Sequence, residues 1–150
     1  MRNRLLLLVF GVTLLGAART QADSRVLVLD TSGKRLATAH SIKLNSQRLA
    51  VPATVFRLLG LSVGYAGKER RLYISVPETD IMVGLRTGEH RSYHPEVGYL
   101  STVYSYPLAR KRGGHFYVSV RFMQQAFPDY FTSTWDNASQ TLTLKRRQPH

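Results

Sequence analysis

The most regular hydrophobic pattern in the chain lies in residues 51–75. Pro52 suits the first position of a helix, because proline has no N–H group to leave unbonded there. The apolar residues that follow recur at helical spacing: Val55, Leu58 and Leu59. Gly60 then stands where a left-handed C-terminal cap belongs, and the alternation of residues 72–75 indicates a half-buried antiparallel strand. The pattern predicts a strand, a short helix, a turn at 65–68 and a closing strand.

The same order of elements is predicted a second time, in residues 118–144. Ser119 takes the place of the proline and can cap the free N–H groups of the helix. A second apolar stripe follows, formed by Phe122, Met123, Ala126 and Phe127. The equivalent pairs are Val51 with Val118, Val55 with Phe122, Tyr65 with Trp135, and Leu72 with Leu142. Two copies of one supersecondary unit usually share a core, so we expect repeat one at about 48–76 and repeat two at about 115–145.

This spaced pattern resembles the copper amine oxidase N-terminal-like domain, also called a stalk domain. The family repeats a segment of the form R-T-x-V-P-L-R-F-I-A-E-A-L-G, followed by V-x-W-D and a T-V-T-I strand. The matching residues in the first copy are Arg48, Val51 through Gly60, Val63 and Tyr65. Those in the second copy are Tyr117-Val118, Val120-Arg121-Phe122, Trp135-Asp136 and residues 141–144. The departures are Ser119 for the proline, Tyr65-Ala66 for the Trp-Asp pair, and Gln124-Gln125 at a position that is usually acidic.

The resemblance covers residues 25–146 and implies a single α+β domain. In such a domain an antiparallel β-sheet curls around two short helices and is built from two pseudo-symmetric repeats. The resemblance also implies an attachment or interaction role, since stalk domains commonly accompany cell-wall hydrolases and other secreted bacterial proteins. It does not imply amine oxidation, because the copper and the quinone of the oxidases belong to a different, catalytic domain. We therefore expect no cofactor and no enzymatic activity.

Shorter patterns predict the remaining segments. We expect strands at 25–30, 42–44, 81–86 and 99–106, of which the third pairs with residues 72–76. Residues 87–98 are polar and are interpreted as irregular, and residues 110–114 are interpreted as a basic hairpin-like turn. Because no linker separates these segments, residues 23–147 are interpreted as one domain and residues 148–150 as a frayed tail.

The N-terminus has the pattern of a secretory signal peptide over residues 1–22. Arg2 and Arg4 precede an apolar run at 5–15, and small residues lead to Ala22. That run is short for a membrane span, which needs about 20 residues, although a retained N-terminal anchor is the alternative. We expect a periplasmic, cell-wall associated or extracellular protein with no membrane span after cleavage. The chain has no cysteine to carry a lipid anchor or to form a disulfide.

Charge and candidate chemistry indicate a binding protein for an anionic partner. The formal net charge is +12, and removal of residues 1–22 takes away three arginines and leaves +9. Such an excess attracts polyanions with a strong salt dependence. Nucleophilic catalysis has little support, because there is no cysteine and no Gly-x-Ser-x-Gly motif. A metal site at Glu89-His90, His94 and Glu96 is disfavoured, since Arg91 and Pro95 argue against a helix that would align the histidines.

Aromatic residues complete the predicted site. Tyr65 and Trp135 are interpreted as packing anchors, whereas Tyr99, Tyr104 and Tyr106 are candidates for stacking at the surface. The predicted ligand-binding residues are Arg70, Arg71, Tyr104, Tyr106, Arg110, Lys111 and Arg112. We expect them to dock an acidic wall polymer such as peptidoglycan. Two alternatives stay open: an extracellular nucleic-acid binder, and a partner-binding or inhibitory protein that uses an exposed strand edge.

Overall fold

The computed structural model describes residues 24–148, apart from 46–47, 69, 77–78 and 85–87. The predicted signal peptide at 1–22 and the last two residues of the predicted strand 81–86 lie outside the described residues. In chain order the elements are β1 (Arg25–Leu29), β2 (Arg35–His40), β3 (Ile42–Asn45), β4 (Arg48–Pro52), α1 (Ala53–Leu58), β5 (Ser62–Ala66), β6 (Arg71–Val76), β7 (Thr79–Gly84), β8 (Glu89–His94), β9 (Gly98–Val103), β10 (Ala109–Arg112), β11 (His115–Ser119), α2 (Val120–Ala126), β12 (Phe131–Asp136) and β13 (Thr141–Arg146). The protein is mostly β, with two short helices and a curled sheet, so the expected α+β class understates its sheet content.

The strands are arranged in three groups of hydrogen-bonded neighbours. Their orders are β12-β13-β1-β2, β10-β11-β4-β3 and β5-β6-β7-β8-β9. Neighbouring strands are antiparallel, with the exception of β1 and β13, which are parallel. The predicted pairing of residues 81–86 with 72–76 is confirmed, since Leu72 lies opposite Val83 and Ile74 opposite Ile81.

The order strand, helix, hairpin occurs twice, as β4-α1-β5-β6 and as β11-α2-β12-β13. The leading strands β4 and β11 pair with each other, and Val51 lies opposite Val118 at the centre of that pairing. The two flanking pairs are Pro52 with Tyr117 and Ala50 with Ser119. Because these sequence-equivalent valines face one another across antiparallel strands, the pairing has local two-fold symmetry about them.

The two hairpins also place equivalent residues at equivalent positions. Tyr65 on β5 lies opposite Leu72 on β6, and Trp135 on β12 lies opposite Leu142 on β13. The hairpins are then extended differently. Strand β6 continues into the antiparallel β7, whereas β13 accepts the parallel β1 on its far side.

Local capping groups set the ends of the helices, largely as predicted. Ser119 is the N-cap of α2, and its Oγ accepts a hydrogen bond from the backbone N–H of Phe122 at 3.2 Å. Pro52 is the N-cap of α1 and not its first helical residue, so the helix begins one residue later than predicted. Gly60 has φ +96° after the last turn of α1, as predicted for a left-handed C-terminal residue. Its N–H donates to the carbonyl of Arg57, and the next N–H donates to the carbonyl of Phe56.

A large hydrophobic cluster joins the two strand-helix-hairpin segments. Phe56 on α1 and Phe131 at the start of β12 are both fully buried, and their ring centroids are 5.8 Å apart. Phe122 on α2 belongs to the same cluster, as do Ile74 and Val83 from the longest sheet. A smaller, separate cluster contains Ile42, Leu44 and Ala50, with Tyr117 packed against it.

Several predicted irregular segments are strands. The largest error is at residues 87–98, where β8 and the start of β9 form a hairpin around the turn at 95–97. Strand β9 ends at Val103, so the predicted strand at 99–106 is too long at its C-terminal end. Strand β2 is absent from the prediction, because its inward-facing residues are the small Ala37 and Ala39, which give only a weak hydrophobic pattern.

The predicted turns are too early by two residues. Tyr65-Ala66 and Trp135-Asp136 belong to strands β5 and β12, and the turns follow at 67–70 and 137–140. Lys145 and Arg146, which precede the predicted frayed tail at 148–150, belong to β13. Arg147 is still tied to the fold, since its N–H donates to the carbonyl of Tyr130 at 2.8 Å. Each of these strand ends is extended by cross-strand hydrogen bonds that the local sequence pattern does not show.

Candidate functional site

The basic segment 110–112 is a strand, not the turn that the sequence analysis expects. Strand β10 pairs with β11 through the two-residue turn Gly113-Gly114, in which both glycines have positive φ. Side chains alternate between the faces of a strand, so Lys111 shares a face with the buried Ala109. Arg110 and Arg112 therefore project from the opposite face. The three cations do not form a single patch.

Lys111 lies against an aromatic pair. It is opposite Phe116 in the register, and its Nζ is 5.5 Å from the centroid of the Phe116 ring. The Phe116 ring in turn lies beside Tyr65, with 4.3 Å between the ring centroids and an angle of 31° between the planes. This contact joins the β10–β11 hairpin to the β5–β6 hairpin.

The other two predicted cations lie on the β5–β6 hairpin, and one of them is neutralised. Arg71 is half-buried, and its Nη2 is 3.0 Å from Oε1 of Glu89 on β8. Arg91 contacts the same carboxylate oxygen through Nε at 3.2 Å. Arg70 is exposed in the turn before β6, with φ +50°. Of these two predicted binding residues, Arg71 is engaged in an ion pair and Arg70 remains at the surface.

Tyr104 and Tyr106 do not have the exposed positions that the sequence predicts. Tyr104 and Tyr106 are half-buried and pack against the main core cluster, with 5.4 Å between their ring centroids. The guanidinium carbon of Arg48 lies 3.2 Å from the centroid of the Tyr106 ring. These two tyrosines are packing residues, so the expectation that they form a surface stacking site is wrong.

Tyr65 and Trp135 are the residues that remain exposed, although the sequence predicts packing anchors. Tyr65 is 40% exposed and Trp135 is 42% exposed. Both lie on outer strands of their sheets, β5 and β12, where no further strand covers the ring from the side. Tyr99, which the sequence predicts at the surface, is 62% exposed on β9.

An open cleft of about 230 Å³ lies beside the contact between Tyr65 and Phe116. The start of α1, the β5–β6 hairpin and the β10–β11 turn enclose it. Its lining residues are Pro52, Ala53, Thr54, Arg57, Val63, Gly64, Tyr65, Leu72, Gly114, His115 and Phe116. None of these residues is acidic, so the cleft combines an aromatic wall with basic groups and carries no carboxylate.

Arg57 is held in place at the cleft by the backbone. Its Nε and Nη2 donate to the carbonyl oxygen of Val63 at 3.2 and 2.7 Å. Among the described residues no carboxylate lies within ion-pair distance of this guanidinium, so its positive charge is not compensated by an acid. A cation that is fixed by a neutral carbonyl is suited to binding an anionic group that arrives from solvent.

Sequence reasoning missed Arg57, His115 and Phe116 as site residues. A signal for the last two was present, because a Gly-Gly turn flanked by strand residues predicts a two-residue hairpin. That hairpin register places Lys111 opposite Phe116. The contact of Phe116 with Tyr65 joins two different hairpins, and no local pattern in the sequence indicates it.

The described residues offer neither a metal centre nor a transmembrane helix. No group of three or more histidine, aspartate or glutamate side chains in the described part of the chain is placed to hold a metal ion. Within the same residues, no helix has the length and apolar character needed to cross a membrane.

A comparison of the chain with known protein families, curated proteins and solved structures finds no match. The cleft geometry and the charge of the chain therefore carry the functional argument.

Proposed function

We propose that the protein is a non-enzymatic, exported module of the cell envelope that docks an acidic wall polymer at the cleft beside Tyr65 and Phe116. The carrying observation is a surface cleft with an aromatic wall, Arg57 in its lining and no acidic lining residue, with the Lys111 ammonium against the Phe116 ring of that wall. The binding residues that we propose are Tyr65, Phe116, Arg57 and Lys111. Of the seven ligand-binding residues predicted from the sequence, only Lys111 belongs to this site. Tyr65 and Phe116 take the place of Tyr104 and Tyr106 as its aromatic residues.

The two kinds of group at the cleft suit the two parts of an acidic polysaccharide. A sugar ring can pack on the exposed part of Tyr65, as bases and sugars do on aromatic side chains. A carboxylate or phosphate on the same polymer can then contact the Arg57 guanidinium or the Lys111 ammonium. The overall positive charge of the chain adds a long-range attraction that salt screens.

We further propose that residues 23–147 form one domain built from two related repeats. The repeated order of elements supports this, as do the facing residues Val51 and Val118 and the equivalent hairpin positions of Tyr65 and Trp135. In this arrangement the cleft belongs to the first repeat, and it is closed by the β10–β11 hairpin, whose second strand begins the second repeat.

Co-sedimentation with purified cell-wall sacculi tests the function. The protein without residues 1–22 is incubated with sacculi at low and high salt, with DNA as a competitor. We expect salt-sensitive pelleting that DNA does not displace. Tyr65→Ala should weaken binding about tenfold, because a stacked ring contributes about 1–3 kcal/mol. Lys111→Glu should weaken binding at least as much, since it places a carboxylate where the polymer anion docks.

Two control variants distinguish binding at the cleft from non-specific electrostatic or hydrophobic binding. Arg110→Glu makes the same change in net charge on the opposite face of β10, and Trp135→Ala removes the equivalent exposed aromatic of the other hairpin. Both should bind sacculi like the unmodified protein. Equal losses for Arg110→Glu and Lys111→Glu would show a generic charge effect and refute the cleft. Displacement by DNA would favour the nucleic-acid alternative, and absence of pelleting would reject the wall polymer.

A further inference from the structure

Strand β9 leaves one edge of the longest sheet open. It is the last strand in the order β5-β6-β7-β8-β9, and among the described strands none pairs with its far side. The most exposed apolar side chains of the described residues lie on it and on the adjoining turn: Val103 at 78%, Val97 at 66%, Tyr99 at 62% and Leu100 at 49%. A contiguous exposed apolar strand of this kind marks an interaction site or an aggregation hazard.

This edge lacks the charges that β10 carries at the edge of another sheet. Residues 97–109 contain no charged side chain, although the chain as a whole has a net charge of +12. Strand β10, which is also the outer strand of its sheet, carries Arg110, Lys111 and Arg112 in succession. Lysine and arginine on an edge strand prevent pairing with another strand. A second copy of this basic protein would therefore be repelled at β10 but not at β9.

The register of β8 and β9 shows which backbone groups are open. The N–H of Tyr104 donates to the carbonyl of Gly88 at 2.8 Å, so these two residues form a hydrogen-bonded pair. The next pair along the ladder is Val103 with Glu89. Hydrogen-bonded and non-hydrogen-bonded pairs alternate along an antiparallel ladder. The N–H and C=O groups of alternate residues therefore point away from β8. They belong to Tyr99, Ser101 and Val103.

We propose that β9 pairs antiparallel with β9 of a second copy of this chain, forming a two-fold symmetric dimer through a continuous sheet. The three residues with outward backbone groups fit one register, in which Ser101 faces the partner's Ser101. In that register Tyr99 faces the partner's Val103, and Val103 faces the partner's Tyr99. All three facing pairs are then hydrogen-bonded pairs, with about two hydrogen bonds each.

The same register also covers the exposed side chains. Tyr99 and Val103 share one face of β9, so each aromatic ring packs on a β-branched side chain of the partner, which is a favourable cross-strand pair. On the other face, Leu100 lies opposite the partner's Thr102. With the two-fold axis at Ser101, each apolar residue of β9 makes the same contact in both copies. The surface is therefore self-complementary, as an isologous dimer requires.

A single engineered cysteine tests the register directly, because the chain has no cysteine of its own. In a hydrogen-bonded pair the two Cα atoms are about 5.5 Å apart, which lies within the range that a disulfide spans. Ser101→Cys should therefore cross-link under mild oxidation about tenfold faster than a cysteine that depends on random encounter. Ser62→Cys is the matched control, since Ser62 is exposed on β5 at the opposite edge of the same sheet.

Sedimentation velocity of the protein without residues 1–22 then measures the dimer without any cross-link. We expect a shift from monomer to dimer mass as the concentration rises from about 5 to 500 μM, the range typical of small interfaces. Val103→Lys should weaken the dimer about tenfold, because it removes the two cross-strand pairs of Val103 with Tyr99 and places a lysine on the pairing edge of each copy. Val97→Lys adds the same charge in the adjoining turn, outside the ladder, and should leave the dimer unchanged.

Three results would overturn the proposal. These are a monomer mass at every concentration, equal cross-linking rates for Ser101→Cys and Ser62→Cys, and equal weakening by Val97→Lys and Val103→Lys. A monomer that instead binds an extended peptide at β9 would assign the edge to another protein and would also reject the dimer. None of these outcomes bears on the cleft, whose variants lie on other strands.

Discussion

The contact between Phe56 and Phe131 offers a quantitative test of whether the two strand-helix-hairpin segments form one domain. Phe56 lies on α1 of the first segment and Phe131 on β12 of the second, and both rings are fully buried. Their centroids are 5.8 Å apart with an angle of 55° between the planes, within the favourable range for an aromatic pair. A favourable interaction between the rings would couple the stability of the two segments.

The perturbation is a double-mutant cycle with Phe56→Leu and Phe131→Leu, which keeps both sites apolar. Each single change removes part of a buried ring and should cost about 1–3 kcal/mol of the free energy of unfolding. The pair interaction itself is worth about 0.5–1.5 kcal/mol, so the double variant should lose that much less than the sum of the single losses. Combining Phe56→Leu with Leu44→Ala is the control, because Leu44 belongs to the separate cluster. That combination should be additive within about 0.5 kcal/mol.

Urea unfolding followed by two signals completes the test. The single tryptophan, Trp135, reports on the second segment by fluorescence, and far-UV circular dichroism reports on all of the strands. In one cooperative domain the two transitions coincide. The reasoning is refuted if the coupling energy is indistinguishable from zero, or if the fluorescence transition occurs at a different urea concentration from the dichroism transition.

Two further predictions concern local hydrogen bonds. Ser119→Ala should destabilise the protein by about 1 kcal/mol in urea unfolding, because it removes the cap on the Phe122 N–H, whereas Ser119→Thr keeps a neutral capping hydroxyl at this buried position and should lose less stability. Asp136 has a pKa below its ordinary value of 3.8, because its carboxylate accepts hydrogen bonds from the Ser139 hydroxyl and then from the Ala138 N–H. The lowered pKa of Asp136 in the folded state stabilises the protein above pH 3.8, and this contribution is lost as the pH falls below that value. Asp136→Asn should therefore have a lower urea midpoint than the unmodified protein at pH 7, and the difference should shrink near pH 2.

Features that depend on neighbouring residues in the chain can be predicted from the sequence here. The Ser119 cap and the left-handed Gly60 are examples, since each is decided within one turn of helix. The pairing of β6 with β7 is another, because the connection is short and both strands alternate. The hairpin of β8 and β9 is not predictable in the same way, as its sequence is polar where it pairs and apolar where it is exposed.

Exposure of the aromatic residues required the tertiary structure. Whether a tyrosine is buried depends on how many strands lie beside it, and strand order is a long-range property. Tyr65 and Trp135 are exposed because β5 and β12 are outer strands, whereas Tyr104 and Tyr106 pack against the core as the chain passes from β9 to β10. The predicted binding surface therefore loses both of its tyrosines.

The repeat pattern, the signal-like N-terminus and the excess of positive charge are properties of the sequence alone, since they need only residue types and their spacing. The cleft beside Tyr65 and Phe116 and the open β9 edge exist only in the folded chain. Because side chains alternate along β10, Lys111 lies on one face and Arg110 and Arg112 lie on the other. Only the contact of Phe116 with Tyr65 shows that the face with Lys111 borders the cleft. The open edge likewise follows from the position of β9 in the sheet. Both sites depend on contacts between segments distant in sequence, which the folding of the whole chain brings together.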